Sequence, residues 1–259
     1  MYHSRFKGSH YEAGYKWSKS VLKNKGKITD CHTFKITKER KDFAKECISV
    51  YKKYFPEILD EIKGIADGQK ISYEDLYTFL FSMYCFEFEN KCTCFAVKKD
   101  DEIIFGRNSD FLTEIEKLYD SCYYKLEDCY SFIGNTTAFV EMEDGVNEYG
   151  LAAGLTFVYP KIRKAGLNAG MLEGIDDWNS EERYRTAYEA LKENKNNCSF
   201  EFAVNLLSGK YGFMCQYDRK KGADTVWSSI YILNENKIYR AEGNPSRKKF
   251  REDKRLKFK

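Results

Sequence analysis

The chain has 259 residues, room for one large domain or two small ones, and its 19 Phe and 20 Tyr supply bulk for a sizeable core. With 43 basic against 40 acidic residues the net charge is +3, which gives no broad electrostatic case for nucleic acid. No apolar run reaches the roughly 18 residues of a membrane span, and MYHSRFKGSHYEAGYKW does not read as a secretory leader, so the expected compartment is the cytoplasm, with reduced thiols.

From Glu39 to Tyr54 the apolar residues Phe43, Cys47, Val50, Tyr51 and Tyr54 recur with a helical rhythm. Pro56 stops that helix and opens another, whose apolar side carries Ile58, Leu59, Ile62 and Ile65. Ser72 with Asp75 resembles a capping box ahead of LYTFLFSMYCF, so residues 1–91 read as a mainly helical segment. At Cys92 the character changes. CTCFAVK and EIIFGR read as strands around the turn KDDE, and YYKLE, TAFVEME and LAAGLTFV continue the strand-rich region to about Val158. Ser180 and Ser199 open two further helices, TVWSSIYIL and KIYRAEG form a closing hairpin around NEN, and RKKFREDKRLKFK reads as a solvated, partly frayed tail. Helices, then strands, then both again indicate an α+β layered fold in which 1–91 and 92–259 form one domain.

Nine cysteines stand at 31, 47, 85, 92, 94, 122, 129, 198 and 215, without CxxC spacing or a disulfide framework. His3, His10 and His32 are the only histidines, which argues against zinc; most of the cysteines read as small buried hydrophobes. GIADG, GLAAG and AEGN lack the spacing of a phosphate-cradling loop, so no cofactor is expected. Cys92 and Cys94 fall on one face of their strand. Residue types alone favour two buried core cysteines, since no histidine is near in sequence to activate a thiol. One chemistry needs no histidine. If the bond before a cysteine is cut, the new α-amine, with a pKa of about 7.7 to 8.0, serves as the thiol's base. A hairpin would bring Arg107 and Asp110 back toward Cys92, where the cation favours thiolate and the carboxylate orients the ammonium.

CTCFAV followed by FGRNSDF resembles the nucleophile segment of N-terminal-nucleophile amide hydrolases and acyltransferases. GSHYEAGYKWSK, PEILDEIKGIADG, DGVNEYGLAAGLTF, TVWSSIYIL and YRAEGNPS occur in the order seen in the acyl-CoA:6-aminopenicillanic acid acyltransferase branch (peptidase C45), more distantly related to choloylglycine hydrolases and penicillin V acylases. The resemblance implies an αββα sandwich of two antiparallel sheets between helical layers. It implies self-cleavage at Lys91–Cys92 into fragments of 91 and 168 residues, with Cys92 as nucleophile and Arg107 and Asp110 beside it. Arg183 in SEERYRTA matches a later active-site arginine; its plainer reading is a solvated helix charge. Asn147 reads as a turn residue with tentative substrate contact, and Thr156 stands where bile-salt hydrolases carry an oxyanion asparagine. The expected substrate is a small linear amide or acyl thioester, with no nucleic-acid or membrane partner. Between GLNAGML and WNSEERY the family carries a further helix and strands with another oxyanion asparagine; here Leu172 runs straight into Glu173. That departure supports an alternative, an impaired family member that binds without turnover.

Overall fold

A computed structural model describes residues 1–31, 35–86, 91–138, 140–156, 179–195 and 197–258. Local signals start the helices. In α1 (His10–Lys23) the Ser9 hydroxyl accepts from Glu12 N–H at 3.2 Å while the Glu12 carboxylate accepts from Ser9 N–H at 3.1 Å, a complete capping box. Thr37 caps α2 (Lys38–Tyr54), and Pro56 sits in the first turn of α3 (Pro56–Gln69), where its missing N–H costs nothing. The Ser72 hydroxyl accepts from Asp75 N–H at 3.2 Å at the start of α4 (Tyr73–Phe86). Two more helices come later, α5 (Ser180–Glu193) and α6 (Phe200–Leu207). Among the described residues no helix is long and apolar enough to cross a membrane.

Among the described residues ten strands form two sheets. One holds β1 (Tyr2–Gly8), β4 (Asp120–Leu126), β5 (Phe132–Ala138), β6 (Glu141–Asn147) and β7 (Ala152–Gly154), in that order. The other runs β10 (Arg251–Glu252), β9 (Lys237–Ala241), β8 (Ala223–Ile232), β3 (Glu102–Leu112), β2 (Lys91–Lys99). Side-chain alternation along these strands builds layers. Phe6, Cys122, Tyr124 and Leu126 face α1 to α4, while Phe105, Tyr123, Ile133, Val146 and Tyr231 fill the space between the sheets. Phe95, Ile104, Ile230 and Ile232 face α5 and α6. The order is therefore helices, sheet, sheet, helices. Each fully buried Ile, Leu or Phe contributes about 1.5–3 kcal/mol, so all three cores matter to stability.

Two irregularities in the ladders shape the space between the sheets. Asn135 pairs with Asp144 and Thr136 with Met142, which leaves Glu143 as the extra residue of a bulge in β6. Ser109 pairs with Trp227 and Asp110 with Thr225, so Val226 is the extra residue in β8.

Several expectations are corrected. The N-terminal segment is mainly helical but also opens with an unread strand, and because β1 runs parallel to β4 that sheet is not purely antiparallel. The stretch TAFVEME is not one strand, because β5 ends at Ala138 and β6 starts at Glu141; their shared apolar character hid the turn. Only Ala152–Gly154 of LAAGLTFV is strand among the described residues. The basic tail is docked rather than frayed: β10 pairs with β9, Leu256 is buried between the sheets, and Asp253 accepts from Arg240 Nε at 3.0 Å. The junction of Leu172 and Glu173, with the segment expected there, lies outside the described residues.

Candidate active site between the sheets

β2 and β3 form an antiparallel hairpin in which Lys91 pairs with Asp110, Cys92 with Ser109, and Cys94 with Arg107. Alternation turns Cys94 into the inter-sheet core and Phe95 toward α6, so Cys92 also faces the space between the sheets. Arg107 Nη2 donates to Cys92 Sγ at 2.8 Å, and the Asp110 backbone N–H donates to the same sulfur. Cys92 keeps part of its surface accessible, but its thiol lies deep enough that burial pushes it up to about 12, against the pull of Arg107 and with the push of Glu143 and Asp110.

Arg107 is fully buried and remains cationic, since the neighbouring sulfur and carboxylates raise its pKa against the penalty of burial. Its counter-charges come from the facing sheet. Nη2 also donates to Glu143 Oε2 at 2.9 Å, Nε donates to the Leu155 carbonyl at 3.2 Å, and Nη1 lies 3.6 Å from Asp144 Oδ2. The Ser109 hydroxyl adds a bond to Glu143 Oε2 at 3.0 Å. Gly154 makes the Leu155 contact possible, because a Cβ there would stand 2.4 Å from the Phe105 ring. Asp144 continues the network: Tyr231 donates to it at 2.8 Å, Asn135 donates to it as well, and Arg240 donates to Asn135.

Asp110 engages the other side of β3. Its carboxylate accepts from Arg183 Nη1 of α5 and from the Thr225 hydroxyl opposite the β8 bulge. Burial raises this carboxyl, while Arg183, Thr225 and Arg107 act the other way. Arg183 is only 3 % exposed, so the solvated-charge reading of this helix position is wrong.

The structure therefore brings Cys92, Arg107, Asp110 and Arg183 into one connected cluster. Asn147 stands apart from it. Its side-chain oxygen accepts from the Tyr149 and Leu151 N–H groups at 3.0 and 2.9 Å, the turn role read from sequence. Thr156 is exposed and directly follows Leu155, whose carbonyl holds Arg107. Cys94 packs partly buried against the inter-sheet core. A cavity of about 510 Å³ opens along β6 and β7, lined by Tyr130, Phe132, Leu151 and, among others, Glu143 and Leu155, the two residues that grip Arg107. Among the described residues no group of three His, Cys, Asp or Glu side chains is placed to hold a metal ion. Sequence reasoning missed Glu143, Asp144, Ser109 and Asn135. The adjacent carboxylates in EMEDG were the available signal, because a buried arginine requires buried counter-charge.

Comparison with known proteins agrees with the motifs. A sequence model of the acyl-coenzyme A:6-aminopenicillanic acid acyl-transferase family matches residues 97–173. The chain is similar to that family over this stretch, which holds Arg107, Asp110, Glu143, Asn147 and Thr156 and begins just after Cys92. No curated protein matches the chain.

Proposed function

We propose that the protein is a cysteine N-terminal-nucleophile enzyme that transfers or hydrolyses the acyl group of linear amides or acyl thioesters after cleavage at Lys91–Cys92. The four-layer order fits an N-terminal-nucleophile sandwich, and the family match points to acyl transfer. One observation carries the reading: at the start of β2, a buried guanidinium donates to Cys92 Sγ at 2.8 Å. A guanidinium so placed favours thiolate over thiol.

The chemistry has two stages. The Cys92 sulfur adds to the Lys91 carbonyl, the Cys92 nitrogen leaves as an amine, and water hydrolyses the resulting thioester. The freed amine, with a pKa of about 7.7 to 8.0, then supplies the base that a thiol at about 12 lacks. It takes the thiol proton as sulfur attacks the substrate carbonyl, and it returns the proton to the departing amine or thiol. Water or an amine then takes the acyl group from Cys92. Asp110 lies across the ladder from Lys91, beside the bond to be cut, and Arg183 anchors its carboxylate. Thr156 is the proposed oxyanion donor, carried on the segment whose preceding turn Asn147 shapes.

Intact-mass measurement tests this. Fragments of 91 and 168 residues, followed by an acyl adduct on the larger one after exposure to an activated thioester, are the expected result. A chain that stays whole and takes up no acyl group would overturn the proposal and favour a non-enzymatic binding protein.

A further inference from the structure

We infer that Glu143 is a positioning residue for Cys92: it fixes the Arg107 guanidinium so that one N–H of Nη2 points at its own carboxylate and the other at the sulfur. The inference rests on the acyl-transfer reading for its purpose, but not for its geometry.

Nη2 carries two hydrogens in one plane, and it donates to Glu143 Oε2 at 2.9 Å and to Cys92 Sγ at 2.8 Å. Fixing the first bond therefore directs the second. Glu143 Oε2 also accepts from the hydroxyl of Ser109, the residue paired with Cys92 in the ladder. One carboxylate oxygen thus gathers two inward side chains of β3 around the cysteine. Glu143 is 2 % exposed and reaches this point because it is the extra residue of the β6 bulge, which aims it and Asp144 at the same guanidinium.

The same carboxylate opposes the guanidinium electrostatically. Around the sulfur stand Arg107 and Asp110 of β3 and Glu143 of β6, with Cys94 on β2, Asp144 at the other terminal nitrogen of Arg107 and Arg183 of α5 behind Asp110. The phenol of Tyr119 also feels the charge of Glu143. Glu143 therefore does two things at once: it aims Arg107 and it restrains how far Arg107 can draw the thiol toward thiolate.

The experiment measures alkylation of Cys92 by iodoacetamide as a function of pH, resolved by peptide mass, in the full chain and in Glu143→Gln. Glutamine keeps an oxygen for Nη2 but removes the charge, so the profile should move to lower pH, giving about tenfold faster alkylation at pH 8 for each unit moved. A folded Glu143→Gln chain whose profile overlays the parent's overturns the inference. If that variant does not fold, Glu143→Asp decides, because it keeps the charge but draws it away from Nη2. With the charge kept and the aim lost, the profile should move to higher pH, and a folded variant with the parent's profile overturns the inference. Acyl uptake from the thioester is recorded in parallel. A shifted profile without acyl uptake leaves the positioning role standing and sinks the enzymatic reading, while uptake with no shift does the reverse.

Discussion

Replacing Arg183 by methionine removes the positive half of a buried pair and leaves the negative half in place. Asp110 is wholly buried and Arg183 is 3 % exposed, so water cannot take over the lost bond. Thr225 still donates to the carboxylate, but a hydroxyl does not neutralise it. Breaking a buried ion pair from one side costs about 3–5 kcal/mol, a large part of the roughly 5–15 kcal/mol that holds a domain folded. At about 2–4 °C per kcal/mol for chains near this size, the melting temperature should fall by about 6–20 °C at pH 8. The loss has a pH signature. Burial already raises the Asp110 carboxyl, and losing Arg183 raises it further. A raised carboxyl holds its proton in the folded state after the unfolded state has released it. Stability then declines as pH rises from the unfolded value near 3.9 up through the folded one. The gap between variant and parent should therefore be wider at pH 8 than at pH 5. Adding Asp110→Asn to Arg183→Met removes both charges and should recover most of the loss. Thermal unfolding followed by circular dichroism at the two pH values is the assay. A loss below about 1 kcal/mol at pH 8, as for an exposed pair, would refute the argument. So would a gap independent of pH combined with a double variant no better than the single one.

Cys92→Ala should abolish both self-cleavage and acyl uptake, whereas Cys94→Ala should mainly loosen packing; equal loss in two folded variants, read by intact mass, would remove the reason to choose Cys92. In the uncut chain the exposed Cys129 should react with iodoacetamide before Cys92, whose thiol at about 12 leaves only about one part in ten thousand as thiolate at pH 8. Peptide masses at successive times give the order, and early labelling of Cys92 would contradict it. Against the push of burial, His3, Arg255 and Arg240 hold the Asp253 carboxyl well below the usual carboxylate range. Its contribution is therefore present above the unfolded value near 3.9 and lost as pH falls toward the folded one. Asp253→Asn should cost about 3–5 kcal/mol at pH 7, because it strands buried Arg240, and should flatten the acid limb of a denaturation series.

The helices from Glu39 onward were legible because their signals are local: the apolar rhythm of Phe43, Cys47 and Tyr51, Pro56, and the pair Ser72–Asp75 act within a turn or two, whereas α1 went unread although Ser9 and Glu12 form its capping box. β1 was not, since YHSRFKG mixes polar and aromatic residues and becomes a strand by pairing with β4, more than a hundred residues away. Polarity also misled at Arg107–Asp110, where the strand reading stopped early; these residues are all buried because α5, α6 and the facing sheet supply their partners. The tail failed for a related reason. Its lysines and arginines read as solvent-facing, yet Asp253 and Leu256 anchor it from within the same charged run. Within the site, the hairpin placed Cys92 and Arg107 from spacing alone. Glu143 escaped because a bulge cannot be read from one strand without knowing its partner's register.

The bulge in β6 sets a conflict between order in the sheet and chemistry beside it. Deleting Glu143 would let Met142 and Asp144 follow one another in an unbroken ladder against Thr136 and Asn135. The more regular strand is thus one that has lost an acceptor for Arg107. The gain in ladder regularity would be opposed by an electrostatic cost, because the deletion also takes a carboxylate from a wholly buried guanidinium and an acceptor from Ser109. A residue that the ladder does not use is thus kept by the buried charge it answers.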